Sequence, residues 1–117
     1  MPHLILECSN NVPSHLKISS LFEAMHKLLS EQLPTQVSNC KSRVLKTYDS
    51  FNGDANSNRE FVHLTVKVLA GRSDEKLNLI AKQLLDLLNN FFNPNESQTK
   101  VLVSVEVLDL NKNYYKT

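Results

Sequence analysis

Phe61-Val62-His63-Leu64-Thr65-Val66-Lys67-Val68-Leu69-Ala70-Gly71-Arg72-Ser73 is the stretch that decides the fold of this chain. Val62, Leu64, Val66 and Val68 alternate with Phe61, His63, Thr65 and Lys67, and a sustained period of two means a strand with one face in the core. Ala70-Gly71 breaks that strand, and Ser73 stands where it can cap a helix. Leu77, Ile80, Ala81, Leu84, Leu87, Leu88 and Phe91 then recur at helical spacing, and the helix should end before Pro94. Val101 to Leu108 restores the period of two with the β-branched residues expected of a strand.

The same order runs through the preceding half. Leu4-Ile5-Leu6-Glu7-Cys8 reads as a short buried strand ended by the turn-rich Ser9-Asn10-Asn11-Val12-Pro13. Ser20 and Glu23 have capping-box spacing, and Leu21, Met25, Leu28 and Leu29 form one apolar stripe through about Gln32, stopped before Pro34. A strand from roughly Lys41 to Tyr48 leads into the polar, turn-rich segment from Asn52 to Asn58. The chain therefore reads as one domain, residues 1–117, built from two pseudo-repeats at about 2–52 and 59–110. A helical crossover pairs its flanking strands in parallel and right-handedly. Two such βαβ units predict an α/β (α+β) fold with a four-stranded mixed sheet and both helices on one face. The opposite sheet face then needs a cover, and association of identical chains is the natural way to provide it. Tyr48 and Phe51 read as core, and the tail from Asn111 to Thr117 carries no period.

Composition narrows the function classes. The 117 residues are 41% hydrophobic and 21% charged, the balance of an ordinary soluble globular protein rather than a disordered or fibrous one. Thirteen Lys+Arg against 12 Asp+Glu leave a net charge of +1, which argues against nucleic acid or an anionic membrane surface as a partner. No apolar run approaches the roughly 18 residues of a membrane span, and the polar start of the chain is no signal-peptide core. The expectation is a cytoplasmic protein with Cys8 and Cys40 as reduced, structural thiols. His3, His15 and His26 have no metal-type spacing, and His63 on a strand's polar face reads as hydrogen-bonded structure.

Three places carry chemistry. Removal of Met1 would turn the ring nitrogen of Pro2 from an amide into a secondary amine at the start of a strand. An α-amino group ordinarily titrates at about 7.7–8.0; an apolar pocket and nearby cations both lower that value and make a usable base. Arg72, just before the helix start at Ser73, combines a guanidinium fork with free helical N–H groups and so suits a carboxylate. Lys41 and Arg43 share one strand face, with Ser42 and Val44 on the other, and two adjacent cations call for an anion.

Pro2-His3-Leu4-Ile5-Leu6-Glu7-Cys8-Ser9, Ser42-Arg43-Val44 and the stretch Phe61 to Ser73 resemble, in order and spacing over nearly the whole chain, the 5-carboxymethyl-2-hydroxymuconate isomerases of the tautomerase superfamily. The resemblance implies a tandem βαβ fold, a homotrimer, an amino-terminal proline exposed by methionine removal, and cofactor-independent isomerisation of an unsaturated hydroxy- or oxo-acid in aromatic-compound catabolism. Arginine usually stands at the position of Lys41 in those isomerases. Lysine keeps the charge there but loses the bidentate geometry. The site expected is Pro2 as general base and acid, with Arg72, Lys41 and Arg43 binding a small-molecule carboxylate. The competing expectations are a tautomerase for another keto–enol acid such as phenylpyruvate, and a catalytically silent trimeric binding protein.

Overall fold

The computed structural model describes residues 1–12, 17–54, 60–95 and 101–117. The period-two stretch forms β3 (Glu60–Val68), and it lies against β1 (His3–Cys8) in antiparallel register, with Leu4 opposite Val66 and Leu6 opposite Leu64. β2 (Lys41–Lys46) joins the other edge of β1 in parallel, and β4 (Val101–Asp109) joins β3 in parallel, giving the order β2-β1-β3-β4. This is the four-stranded mixed sheet of two βαβ units.

Both crossover helices pack on one face. α1 (Ile18–Gln32) buries Leu21, Met25 and Leu29, and α2 (Asp74–Phe92) buries Ile80, Leu84, Leu88 and Phe92, each a stripe at four-residue spacing. These stripes meet Leu4, Leu6, Val62, Leu64, Val66 and Val68 in one continuous core. Cys8 and Cys40 are buried free thiols, and burial pushes both above the ordinary thiol range.

The helix ends follow different physics. Ser73 caps α2 as expected, its Oγ accepting from the Lys76 N–H at 3.2 Å, with Asp74 and Glu75 completing a first turn that suits the positive end of the helix dipole. α1 does not use the capping box at Ser20 and Glu23. It starts three residues earlier than that cap would set, at Ile18, behind Lys17, which offers no side-chain cap. Ile18 packs partly buried against the core and Leu21 is buried in the same turn, and that packing outweighs a capping preference, because most helical stability in a protein comes from the packed face. The other end obeys Pro34: Leu33 before it is extended at φ −121° and ψ 150°, the conformation a following proline imposes.

Tyr48 and Phe51 are not core: they are 99% and 75% exposed, because β2 stops at Lys46 and the chain leaves the sheet before reaching them. Part of the polar segment that follows lies outside the described residues. A tie the sequence did not announce holds α2 to β4. Asn93, buried past the end of α2, donates from Nδ2 to the Val101 carbonyl at 2.8 Å and accepts the Val101 N–H on Oδ1 at 2.9 Å.

Among the described residues no helix covers the opposite sheet face. Leu45, Leu102 and Leu108 stand exposed there, together with His63, which bonds Ser104 Oγ at 2.7 Å and Glu106 at 3.1 Å. Replacing Asn93 by Ala strands the buried N–H and C=O of Val101, so urea unfolding should lose about 2–4 kcal/mol. A loss within the roughly 0.5 kcal/mol of an ordinary surface change would contradict that role.

Candidate active site

β1 begins at the residue after Pro2, and the pleat decides what each end residue meets. Leu4, Leu6 and Cys8 face the helices, so His3 faces away and Pro2 turns inward again. Pro2 is fully buried, and its carbonyl accepts the Lys41 N–H at 3.0 Å, continuing the β1–β2 ladder by one bond. Its missing N–H costs nothing at a strand's first position.

Around this point lies a pocket of about 160 Å³ lined by Met1, Pro2, Leu33, Pro34, Thr35, Asn39, Val68, Leu69, Arg72 and Lys116. Each wall has a local origin. The turn forced by Pro34 ends α1 beside the pocket, and Val68 and Leu69 end β3 there. Gly71 then turns the chain at φ 118°, a conformation open to glycine at little cost. That turn lets Arg72 fold back, and its Nη1 donates to the Leu69 carbonyl at 2.6 Å. The bond fixes the guanidinium while leaving other N–H donors of the fork for a ligand.

None of the described residues lining the pocket is acidic, and two of them are cationic. The terminal amine at Met1 is accordingly held below the ordinary α-amino range, by burial first and then by the charges of Lys116 and Arg72, with Cys40 acting weakly in the other direction. The arrangement offers a depressed amine, an anchored guanidinium and a second ammonium around an apolar floor. An anion placed there would meet donors and no competing carboxylate.

The fold thus brings Pro2 and Arg72 together and separates Lys41 and Arg43 from them. Lys41 pairs with His3 and Arg43 with Ile5 across the β1–β2 ladder, which puts both cations on the open sheet face. Arg43 Nη1 lies 3.2 Å from His3 Nδ1, and Lys41 Nζ donates to the Ser38 carbonyl at 3.1 Å. Neither cation lines the pocket of its own chain. Lys116 does, and no pattern in the sequence pointed to it. It belongs to the aperiodic tail, which is placed by tertiary bonds: the Leu110 N–H to the Val68 carbonyl at 2.6 Å, and His3 Nε2 with the Tyr114 hydroxyl at 3.0 Å.

A tandem βαβ chain with both helices on one side of a mixed sheet has the fold of the tautomerase superfamily. The structure of a 5-carboxymethyl-2-hydroxymuconate isomerase from Deinococcus radiodurans R1 superposes with a TM-score of 0.85 at 24% identity, over 99% of this chain and 88% of that one. A fused 4-OT wild-type symmetric trimer gives a TM-score of 0.70 at 15% identity, over 97% of this chain and 91% of that one. The family model for 5-carboxymethyl-2-hydroxymuconate isomerase matches residues 2–117, and this chain belongs to that family of isomerases. The 5-carboxymethyl-2-hydroxymuconate Delta-isomerase of Escherichia coli is 27% identical over 111 residues, spanning 95% of this chain and 88% of that protein.

The hydrogen bonds of His3 set its protonation. Arginine can donate only, so Nδ1 accepts from Arg43 and the ring proton resides on Nε2, facing Tyr114. Burial first, and then the Arg43 charge, lower its pKa from the ordinary histidine value. The sign follows: the unfolded chain takes up this proton first, so stability is lost as pH falls below the ordinary histidine value, until the folded ring itself protonates. Ring nitrogen shifts in an NMR titration should place the His3 midpoint below that of free histidine. A midpoint at or above it would contradict the assigned tautomer.

Proposed function

We propose that this isomerase acts on 5-carboxymethyl-2-hydroxymuconate in the catabolism of aromatic compounds, as a cytoplasmic, cofactor-independent homotrimer using the amine of Pro2 once Met1 has been removed. The observation that carries this reading is the buried Pro2 in a pocket with two cations and, among the described residues, no acid. Removing Met1 transfers the free amine to a residue that is more deeply buried, where the same burial and charges favour its neutral form.

The chemistry needs one group that takes a proton and returns it. The neutral amine accepts the proton of the substrate's 2-hydroxyl; the O–H bond breaks and a dienolate forms. The resulting ammonium delivers a proton to a carbon of the diene, a C–H bond forms, and the oxygen becomes a carbonyl. Negative charge is greatest between these steps, and Arg72 is placed to hold the adjacent carboxylate and offset that charge. As a secondary ammonium in an apolar, cationic pocket, Pro2 releases its proton readily, which suits the return step.

The trimer is supported by the uncovered sheet face with its exposed Leu45, Leu102 and Leu108, and by the symmetric trimer among the structural relatives. Lys41 and Arg43 lie on that same face, outside the pocket of their own chain.

Pro2→Ala should lower kcat by about a hundredfold or more, followed by the loss of dienol absorbance, since that is the usual scale of general acid–base catalysis. Undiminished turnover would remove Pro2 from the mechanism, and faster turnover of enol-phenylpyruvate than of the muconate would move the substrate to another keto–enol acid. Sedimentation equilibrium should return three copies per particle. Leu45→Lys should shift the particle towards monomer; a monomeric wild type would contradict the assembly.

A further inference from the structure

We propose that Lys116, delivered by the carboxy-terminal tail, is the second carboxylate-binding cation of the pocket and selects substrates that carry a carboxylate remote from the reacting enol. The proposal rests on the reading of the pocket as an isomerase site and assigns to the tail a role that residue patterns gave to β2. Three observations carry it. Lys116 lines the same pocket as Pro2 and Arg72, whereas Lys41 and Arg43 occupy the other sheet face. Neither Lys116 nor Arg72 meets a carboxylate among the described residues, so both charges remain to be balanced by a ligand. The tail is also fixed where it must be. Leu110 is bonded to Val68, and Tyr114, two residues before Lys116, sets its hydroxyl on His3 and its ring edge-on to the imidazole at 5.6 Å and 77°.

His3 directly follows Pro2, so the strand residue beside the proposed base is the anchor for the residue that brings in the second cation. Lys116 lines the pocket together with Met1 and Pro2, and its charge, like that of Arg72, lowers the pKa of the amine at Met1. A substrate with a single carboxylate next to its enol is satisfied by Arg72. Muconates have a carboxylate at each end, and a carboxymethyl substituent adds a third. A remote carboxylate needs a cation besides Arg72, and the pocket lining supplies Lys116. Its ammonium is a compact charge on a flexible stem, suited to a carboxylate at the rim.

The test separates binding from turnover. Calorimetry of the Met1-free protein would use trans-aconitate, an unsaturated tricarboxylate without the 2-hydroxyl the reaction needs, and sorbate, a diene with one carboxylate. Lys116→Met should weaken aconitate by about fivefold or more while leaving sorbate unchanged, the scale of one charge-assisted contact. Lys116→Arg should restore most of that loss, and Tyr114→Phe, which frees the tail, should weaken aconitate selectively as well. Aconitate affinity unaltered by Lys116→Met, an equal loss for both ligands, or no binding of aconitate to the wild type would overturn the proposal. Selective, Lys116-dependent binding in a protein that turns over no hydroxydienoate would support the clamp and overturn the isomerase reading.

Discussion

The pairing of β1 with its two neighbours is the constraint on which the rest of the structure depends. Because successive residues of a strand point to opposite faces, fixing His3 opposite Lys41 on one side and Lys67 on the other commits Pro2 to the helix-covered face. From that single register follow the burial of the terminal segment, the apolar floor supplied by Val68 and Leu69, and the approach of Arg72 from the turn after β3. A slip of one residue would exchange the faces, sending Pro2 into the open and the β2 cations towards the helices.

The site is an electrostatic device made from ordinary parts. Two chain turns border it, one forced by Pro34 and one permitted by Gly71, and both bring backbone close without adding a charged group. The charge comes from Arg72 and Lys116, held by the Leu69 carbonyl and by the anchored tail. Desolvation and like charge act on the amine at Met1 in the same direction, both lowering its pKa.

Much of this could be read from the residues alone. Alternation in Val62 to Val68 and the helical spacing of Leu77 to Phe91 define the second βαβ unit, and the first follows the same order with weaker signals. Pro2 and Arg72 could be singled out from local chemistry, a ring nitrogen at a strand start and a guanidinium before a helix, and the fold brings both to one pocket. Lys41 and Arg43 were legible as sharing a face, but which face depends on register with β1, a long-range fact. The start of α1 and the exposure of Tyr48 and Phe51 were set by packing and by where β2 ends, against local capping and apolar character. Lys116 had no local signal, since the tail is positioned by bonds to His3 and Val68 rather than by any period of its own.

The central claim is that this pocket makes a neutral amine of Pro2. Direct titration of the amino-terminal nitrogen by ¹⁵N NMR, on mature protein with Pro2 first, tests it without relying on any substrate. The account predicts a midpoint clearly below the ordinary α-amino range of about 7.7–8.0, rising towards it in Arg72→Ala and Lys116→Met. A midpoint within or above that range in the wild type would contradict it.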